Sequence, residues 1–132
     1  MPGVFDKLNL GEQRLILVLN APASFEGALA KLAGVRILRR IPATAAVSFA
    51  LAFVTRQAEV DTLSQSLTRR APGDAVLWFA YPKGTSRRYT CEFNRDTGWE
   101  RLRRAGFDTV RQVAIDADWT ALRFRRVEFI GR

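Results

Sequence analysis

Three stretches of the chain are apolar almost without interruption, namely "RLILVLN" at 14–20, "AVSFALAFV" at 46–54 and "AVLWFAY" at 75–81. The second and third read as strands buried on both faces of a sheet, because such strands have no polar face. The shorter "VRILRRI" at 35–41 interleaves arginines and stops at Pro42, which indicates an edge strand with one face in water.

Helical spacing appears between these strands. Ser24 is a suitable N-cap for a short helix that ends at Gly34. After Thr55, apolar residues recur at helical intervals up to Ala71, which predicts an amphipathic helix. Thr97 and Glu100 have the spacing of a capping box and predict a third helix.

The C-terminal part has the pattern of a hairpin. "FDTVRQVAID" and "ALRFRRVEFI" read as two strands joined by the turn "ADWT", which predicts an antiparallel pair. Because Leu122 and Phe124 are out of phase with Val127 and Phe129, we expect a bulge near Arg125 and Arg126.

The order β-α-β-β-α-β-α-β-β, with two doubly buried strands, requires helices on both faces of a mostly parallel sheet. The sequence therefore predicts an α/β, three-layer, Rossmann-like fold with about six strands in the order 2-1-3-4-6-5 and a C-terminal antiparallel hairpin. The whole chain, 1–132, is predicted to be a single domain.

Composition excludes several kinds of chemistry. The chain has no histidine, which removes Ser-His-Asp and Cys-His catalysis and histidine metal ligands, and it has one cysteine, Cys91. We therefore predict no catalytic residues, no metal and no cofactor, and lean against an enzyme. With no apolar run of about 18 residues and no leader pattern, we expect a cytoplasmic chain without membrane contact.

The words "AVLWFAYPKG" and "GFDTVRQVAIDADWTALRF" carry a resemblance. They look like a small bacterial family known as a domain of unknown function, with a similar strand-Pro-Lys stretch and a later Asp-Trp-Ser/Thr-x-x-Arg stretch. This resemblance implies no activity, because none is assigned to that family.

More distantly, the terminal hairpin is similar to the sheet edge of S-adenosylmethionine-dependent methyltransferases. That family has a Gly-x-Gly-type loop after its first strand and an acidic residue at the end of its second. Here the first strand runs into "NAPASFEG" and the second ends in "RRIPAT". Both parts of the cofactor-binding motif are therefore missing from the sequence.

In open α/β sheets, ligands bind outside the carboxyl ends of the strands. The loop after the strand at 75–81 supplies charge, hydroxyl groups and a glycine, and Trp119 could stack on a base or a sugar. The candidate ligand-binding residues are Asn20, Ser24, Lys83, Gly84, Thr85, Ser86, Arg87, Arg88, Arg95, Asp118 and Trp119. Asp116 and Asp118 are interpreted as turn formers rather than as a catalytic pair.

The net charge of +8, with 18 of 21 basic residues being arginine, suits an anionic partner. Three functions follow from these observations. The first is a non-catalytic module that binds a small anionic ligand or an acidic protein partner. The second is a nucleic-acid-binding protein in which arginines form a stripe with Tyr89, Phe93 and Trp119 as stacking aromatics. The arginines of this stripe are at positions 87, 88, 95, 101, 103, 104, 123, 125 and 126, although several of them must face opposite sides. The third is a degenerate methyltransferase-like enzyme. Either a monomer or a homodimer is compatible with the pattern.

Overall fold

Six strands form one mixed sheet in the computed structural model, which describes residues 3–131. The strands are β1 (Leu15–Leu19), β2 (Arg36–Leu38), β3 (Phe49–Phe53), β4 (Val76–Pro82), β5 (Phe107–Ala114) and β6 (Trp119–Arg126). Their order is β2-β1-β3-β4-β6-β5, with parallel pairing from β2 to β4 and antiparallel pairing of β6 with both β4 and β5. The predicted fold class and strand order are confirmed.

Four α-helices lie within residues 3–131: α1 (Val4–Lys7), α2 (Glu26–Ala30), α3 (Gln57–Arg70) and α4 (Glu100–Arg104). Two 3-10 helices accompany them, Ala23–Phe25 before α2 and Val127–Phe129 after β6. Only α3 is long, and this matters because short helices cannot cover a six-stranded sheet alone. Loops must complete the cover.

One face of the sheet packs against α3 and α4. Leu67 of α3 and Leu102 of α4 are fully buried there, together with Phe79 from β4 and Phe124 from β6. Trp99, just before α4, packs edge-on against Phe79 with ring centroids 5.8 Å apart. This aromatic cluster fixes the short α4 helix to the sheet.

The opposite face packs against α1 and α2. Phe5 of α1 lies 5.6 Å from Phe25, and Leu8 is fully buried. The indole N–H of Trp78 on β4 donates a buried hydrogen bond of 2.7 Å to the carbonyl of Leu8. The sequence pattern did not reveal α1, because four residues are too few for a helical period to be recognised.

Three local predictions were wrong. The bulge lies on β5, where the register shifts between Thr109 and Arg111, and not near Arg125 and Arg126. The phase change after β6 arises because the chain leaves the sheet in a 3-10 helix. Ser24 is exposed and makes no cap bond, since the chain enters α2 through a 3-10 turn instead of a capped N-terminus.

The predicted capping box of Thr97 with Glu100 is not formed either. The hydroxyl of Thr97 donates to Oδ1 of Asn94 at 3.2 Å, and α4 begins after Trp99 without a side-chain cap. Thr97 therefore belongs to a turn that precedes the helix. No helix between residues 3 and 131 is long and apolar enough to cross a membrane.

We expect Trp78→Phe to lower the free energy of unfolding by about 2–4 kcal/mol, because it leaves the buried Leu8 carbonyl without its donor and opens a small cavity. Val127→Ala, at a half-exposed position, is the control and should change stability by less than about 0.5 kcal/mol. Denaturant unfolding measures both. Equal stability of the two variants would contradict the role given to this bond.

Candidate functional site

The carboxyl ends of five strands meet at one edge of the sheet. β1 to β4 run parallel, and β5 joins them because it is antiparallel to β6, which is itself antiparallel to β4. Asn20 follows β1, Arg39 follows β2, Val54 follows β3 and Lys83 follows β4. The turn at 115–118 follows β5. This edge is where a ligand is expected in an open α/β sheet.

Residues 83–98, here called the edge loop, cross this edge from one face of the sheet to the other. On one face, Tyr89 packs against Trp119 with ring centroids 4.9 Å apart. On the other face, Phe93 packs against Trp99 at 5.0 Å and Tyr81 at 5.9 Å. The loop is therefore anchored in both halves of the hydrophobic core.

The start of the edge loop is fixed to the β5–β6 turn. The amide of Lys83 donates to the carbonyl of Asp118 at 2.7 Å, and the hydroxyl of Ser86 donates to Oδ1 of Asp118 at 2.9 Å. The amides of Arg88 and Tyr89 in turn donate to the Ser86 oxygen. Ser86 and Asp118 thus hold the loop in shape. Asp116 accepts from the amides of Asp118 and Trp119, which confirms it as a turn former.

The middle of the edge loop is tied to the start of α3. The carboxylate of Glu92 accepts from the amide of Gln57 at 2.9 Å, and the Glu92 amide donates to the carbonyl of Thr55 at 3.1 Å. Glu59 accepts from the amides of Thr55 and Arg56. The positive end of α3 is therefore already occupied by two carboxylates of the chain itself.

A cavity of about 310 Å³ lies between the end of β4 and the edge loop. Three of the predicted residues line it: Lys83, Gly84 and Ser86. Tyr89 and Phe93, also in its wall, were predicted only as stacking residues for a nucleic acid, and the others were not predicted: Tyr81, Pro82, Thr90, Cys91 and Asn94. Aromatic residues at the end of a strand and in a loop were the sequence signal for this wall, because a solvated loop has little use for them.

The remaining predicted residues lie elsewhere. Thr85, Arg87, Arg88 and Arg95 are exposed and do not line this cavity. Arg95 makes a 3.6 Å ion pair with its neighbour Asp96. Asn20 and Ser24 lie at the end of β1, on another part of the edge. The structure therefore divides the predicted set into a group around Lys83 and a group around β1.

Trp119 was predicted to stack on a base or a sugar, and the structure contradicts this. Its side chain is 3 % exposed and is enclosed by Phe53, at 5.1 Å, and Tyr89. The indole is part of the core because the first residue of β6 faces the covered side of the sheet.

Two titratable groups in the cavity wall, Tyr81 and Cys91, have shifted pKa values. Burial raises the pKa of the Tyr81 phenol to about 12, and the nearby Arg95 acts weakly in the opposite direction. The phenol oxygen accepts a hydrogen bond of 3.3 Å from Nε2 of Gln112. Burial also raises the pKa of the Cys91 thiol, which keeps it protonated and unreactive at neutral pH.

The part of the edge next to β1 has a different chemistry. Asn20 has a left-handed backbone, with φ of 58°, and its amide donates a 3.4 Å hydrogen bond to the carbonyl of Phe53 across the β1–β3 crevice. Beside it, both guanidinium nitrogens of Arg39 donate to the Glu26 carboxylate at 2.9 Å. These hydrogen bonds lower the pKa of Glu26.

Several arginines of the predicted nucleic-acid stripe serve the fold. Arg125 makes a two-pronged bond with Asp74, at 2.7 and 2.6 Å. Arg126 donates to the carbonyl of Ala71 at 2.6 Å and lies 4.7 Å over the ring of Phe107. Of the three proposed stacking residues, Trp119 and Phe93 are buried, with Phe93 8 % exposed, and Tyr89 packs against Trp119. The stripe is not a single surface, and a nucleic-acid partner stays a prediction.

No family model matches the chain, and no curated protein matches it in sequence. The resemblance to a bacterial domain of unknown function therefore stays a prediction. Comparison with solved structures does give matches. A methyltransferase from Aquifex aeolicus, described as dependent on S-adenosylmethionine, has a TM-score of 0.62 and 17% identity over 94% of this chain and 88% of its own.

The fold is that of the S-adenosylmethionine-dependent methyltransferases. The N-methyltransferase NodS from Bradyrhizobium japonicum WM9, solved with S-adenosyl-L-homocysteine, matches with a TM-score of 0.59 and 12% identity, over 94% of this chain and 84% of its own. Magnesium protoporphyrin IX methyltransferase from Synechocystis PCC 6803, also solved with that molecule, matches with a TM-score of 0.58 and 10% identity, over 93% and 78%.

These matches contradict the prediction of a non-catalytic binding module. Methyltransferase structures, two of them solved with S-adenosyl-L-homocysteine, align with 93–94% of this chain. They favour the methyltransferase-like alternative. The chain lacks the sequence signature of these enzymes but has the strand order of their fold. The strand order is what positions a ligand at the carboxyl edge of the sheet.

Gly98→Ala should destabilise the protein by about 2–4 kcal/mol, because a side chain strains a left-handed backbone and needs space. Gly98 has a φ of 97°, and an added Cβ would lie 2.6 Å from Oε1 of Gln57 and 2.8 Å from Cβ of Phe93. Gly84→Ala in the same loop is the control, since no atom lies within 4 Å of its added Cβ. Thermal unfolding of the pair measures the difference, and similar melting temperatures would refute this packing.

The raised pKa of Tyr81 predicts an alkaline transition. The folded state binds the phenolic proton more tightly than the unfolded chain, whose pKa is about 10. This contribution to stability is therefore complete below about pH 10 and is lost as the pH rises towards 12. Tyrosinate absorbance should show a late transition that Tyr81→Phe removes and Tyr89→Phe retains. A late transition that survives in Tyr81→Phe would assign it to the wrong tyrosine.

Proposed function

We propose that this protein has a methyltransferase-like function, in which an S-adenosyl nucleoside binds at the crevice between β1 and β3 and a small anionic molecule binds at the end of β4. The observation that carries the proposal is the strand order. In the sheet, β1 has β2 on one side and β3 on the other, so the order of the strands reverses at β1. Such a switch point leaves a crevice at the carboxyl edge. Known structures with this fold bind S-adenosylhomocysteine.

The residues at this crevice fit the adenosyl group only in part. The turn after β1 has an alanine and a proline, Ala21 and Pro22, in place of a glycine-rich loop. Arg39 and Arg40 follow β2, where ribose hydroxyls would need an acceptor. The usual cofactor-binding motif is therefore absent from this chain.

One carboxylate is nevertheless present at this place. Glu26 begins α2 directly beyond the β1 turn, and its two oxygens are held by Arg39, which follows β2. A carboxylate accepts hydrogen bonds from a pair of vicinal hydroxyls at little cost once its cationic partner gives way. We therefore assign Glu26 as the acceptor for the ribose in this protein.

The cavity at the end of β4 supports the second half of the proposal. Lys83 is the cation in its wall, and Tyr81, Ser86 and Asn94 add polar groups. The aromatic side of the wall, Tyr89 and Phe93, excludes water from a bound molecule. A molecule that carries a carboxylate or phosphate and an apolar part suits this cavity.

Calorimetry with S-adenosylhomocysteine tests the proposal. We expect binding by the wild-type protein and binding about tenfold weaker or worse in Glu26→Gln, because hydrogen bonds to a charged acceptor contribute about 1.5–3 kcal/mol. Arg39→Gln, which releases the carboxylate, should bind more tightly.

Two controls make the result specific. Arg36→Gln removes an exposed arginine from β2 without touching Glu26, and Lys83→Gln alters the other cavity. Both should bind the nucleoside as the wild-type protein does. The absence of any heat or thermal shift in the wild-type protein at a large excess of the nucleoside would refute the proposed function.

A further inference from the structure

A second basic site lies away from the sheet edge, in a groove between α3 and α4. This cavity, here called the interhelix groove, has a volume of about 300 Å³. It is lined by Ser64, Gln65, Thr68, Arg69, Arg101, Arg104 and Ala105. None of these residues belongs to the edge loop or to the β1–β3 crevice, so the groove is independent of the function proposed above.

Three arginines line this one groove. Arg69 lies in the last turn of α3, and Arg101 and Arg104 lie one turn apart on α4. The ion pairs formed within residues 3–131 involve other arginines, at positions 39, 95, 103 and 125. Three cations gathered without a carboxylate partner repel one another, and an anion between them removes that repulsion.

The neighbouring cavity makes this arrangement more distinctive. Arg101 and Arg104 also line an adjoining polar cavity that contains Asp61, Glu92 and Glu100. Glu92 is occupied with the amide of Gln57, and Asp61 accepts from the Gln57 side chain. Glu92 and Asp61 thus serve the start of α3, and neither they nor Glu100 forms an ion pair with Arg101 or Arg104 within residues 3–131.

A residue with a buried hydroxyl, Ser64, is part of the wall of the same groove. Ser64 is 1 % exposed, and its Oγ is a buried polar atom without a hydrogen-bond partner among the described residues. One turn later, the hydroxyl of Thr68 is satisfied because it donates to the carbonyl of Ser64 at 2.8 Å. A buried donor without an acceptor lowers stability, and such a group in a cavity wall is explained when a ligand supplies the acceptor.

We propose that the interhelix groove binds the phosphate group of a small anionic ligand. Guanidinium groups recognise phosphate oxygens with paired N–H donors, and the Ser64 hydroxyl donates to a further oxygen. A tetrahedral dianion has enough oxygens to accept from three arginines and one hydroxyl. The size of the groove accommodates a phosphate or diphosphate and leaves the rest of the ligand at its mouth.

Calorimetry with inorganic pyrophosphate at low ionic strength tests the site. The double variant Arg69→Gln/Arg104→Gln should bind at least tenfold more weakly than the wild-type protein. Arg103→Gln is the matched control, because it removes the same charge from α4 but lies outside the groove and pairs with Asp108. It should bind within twofold of the wild-type protein. The proposal would be overturned if the double variant and Arg103→Gln lost the same pyrophosphate affinity for each charge removed. The absence of pyrophosphate binding by the wild-type protein would also overturn it.

Ser64→Ala tests the site without changing the charge of the protein. Removing an unsatisfied buried hydroxyl should raise the melting temperature of the free protein, and removing a donor should weaken pyrophosphate binding several-fold. Unchanged affinity in Ser64→Ala would contradict the site as built from these side chains.

Two further measurements separate this site from other anion sites. Lys83→Gln should keep the pyrophosphate binding that Arg69→Gln/Arg104→Gln weakens, and loss of all pyrophosphate binding in Lys83→Gln would place the bound anion at the end of β4 instead. A short single-stranded RNA should bind no more tightly than pyrophosphate. Tighter RNA binding that falls steeply with salt would assign the groove to a polynucleotide backbone and overturn the small-ligand proposal. Because none of these variants alters the β1–β3 crevice, the result is separable from nucleoside binding.

Discussion

β3 and β4 are buried on both faces, and the rest of the structure depends on covering them. Every residue of β3 is buried, and so is nearly every residue of β4. A strand of this kind needs packing partners above and below, but α1, α2 and α4 have only four or five residues each. The cover is therefore completed by aromatic side chains outside regular structure, such as Phe93, which pack onto the strands from the loops. The connections of this fold are consequently part of its core.

This dependence explains why the edge loop is ordered although it is rich in charge. Tyr89 and Phe93 fasten it to opposite faces of the sheet, and the turn after β5 holds its first residues through Asp118. Lys83 directly follows β4, and its amide donates to the carbonyl of Asp118. Because the backbone of this residue is already held in place, little backbone freedom remains to be lost there when a ligand enters.

The strand order of the sheet could be predicted from the sequence, whereas most of the residues around the cavity could not, and the reason is physical. Apolar runs and crossover rules determine strand order, and they led to β6 between β4 and β5. Which side chains surround a cavity depends on packing between distant segments, and periodicity carries no information about it. Trp119 illustrates this: its neighbours in sequence suggest an exposed turn, yet Phe53, far away in the chain, encloses it. Similarly, Ser64 looks like a polar helix position until the structure shows its hydroxyl buried beside three arginines.

This chain shares the methyltransferase fold, and it carries charged residues of its own at the carboxyl edge of the sheet. The backbone supplies the crevice between β1 and β3, and Asn20 adopts the left-handed turn there that a glycine would otherwise provide. At the end of β2, however, Arg39 stands where the proposed nucleoside needs an acceptor, and it is paired with Glu26 of α2, the helix that precedes β2. An ion pair of two exposed side chains contributes little to stability, so exchanging Arg39 for another partner costs the fold little. The sequence shows an arginine where the methyltransferase signature has an acidic residue at the end of the second strand. The ion pair that this arginine forms with Glu26 is thus one that the proposed nucleoside can break.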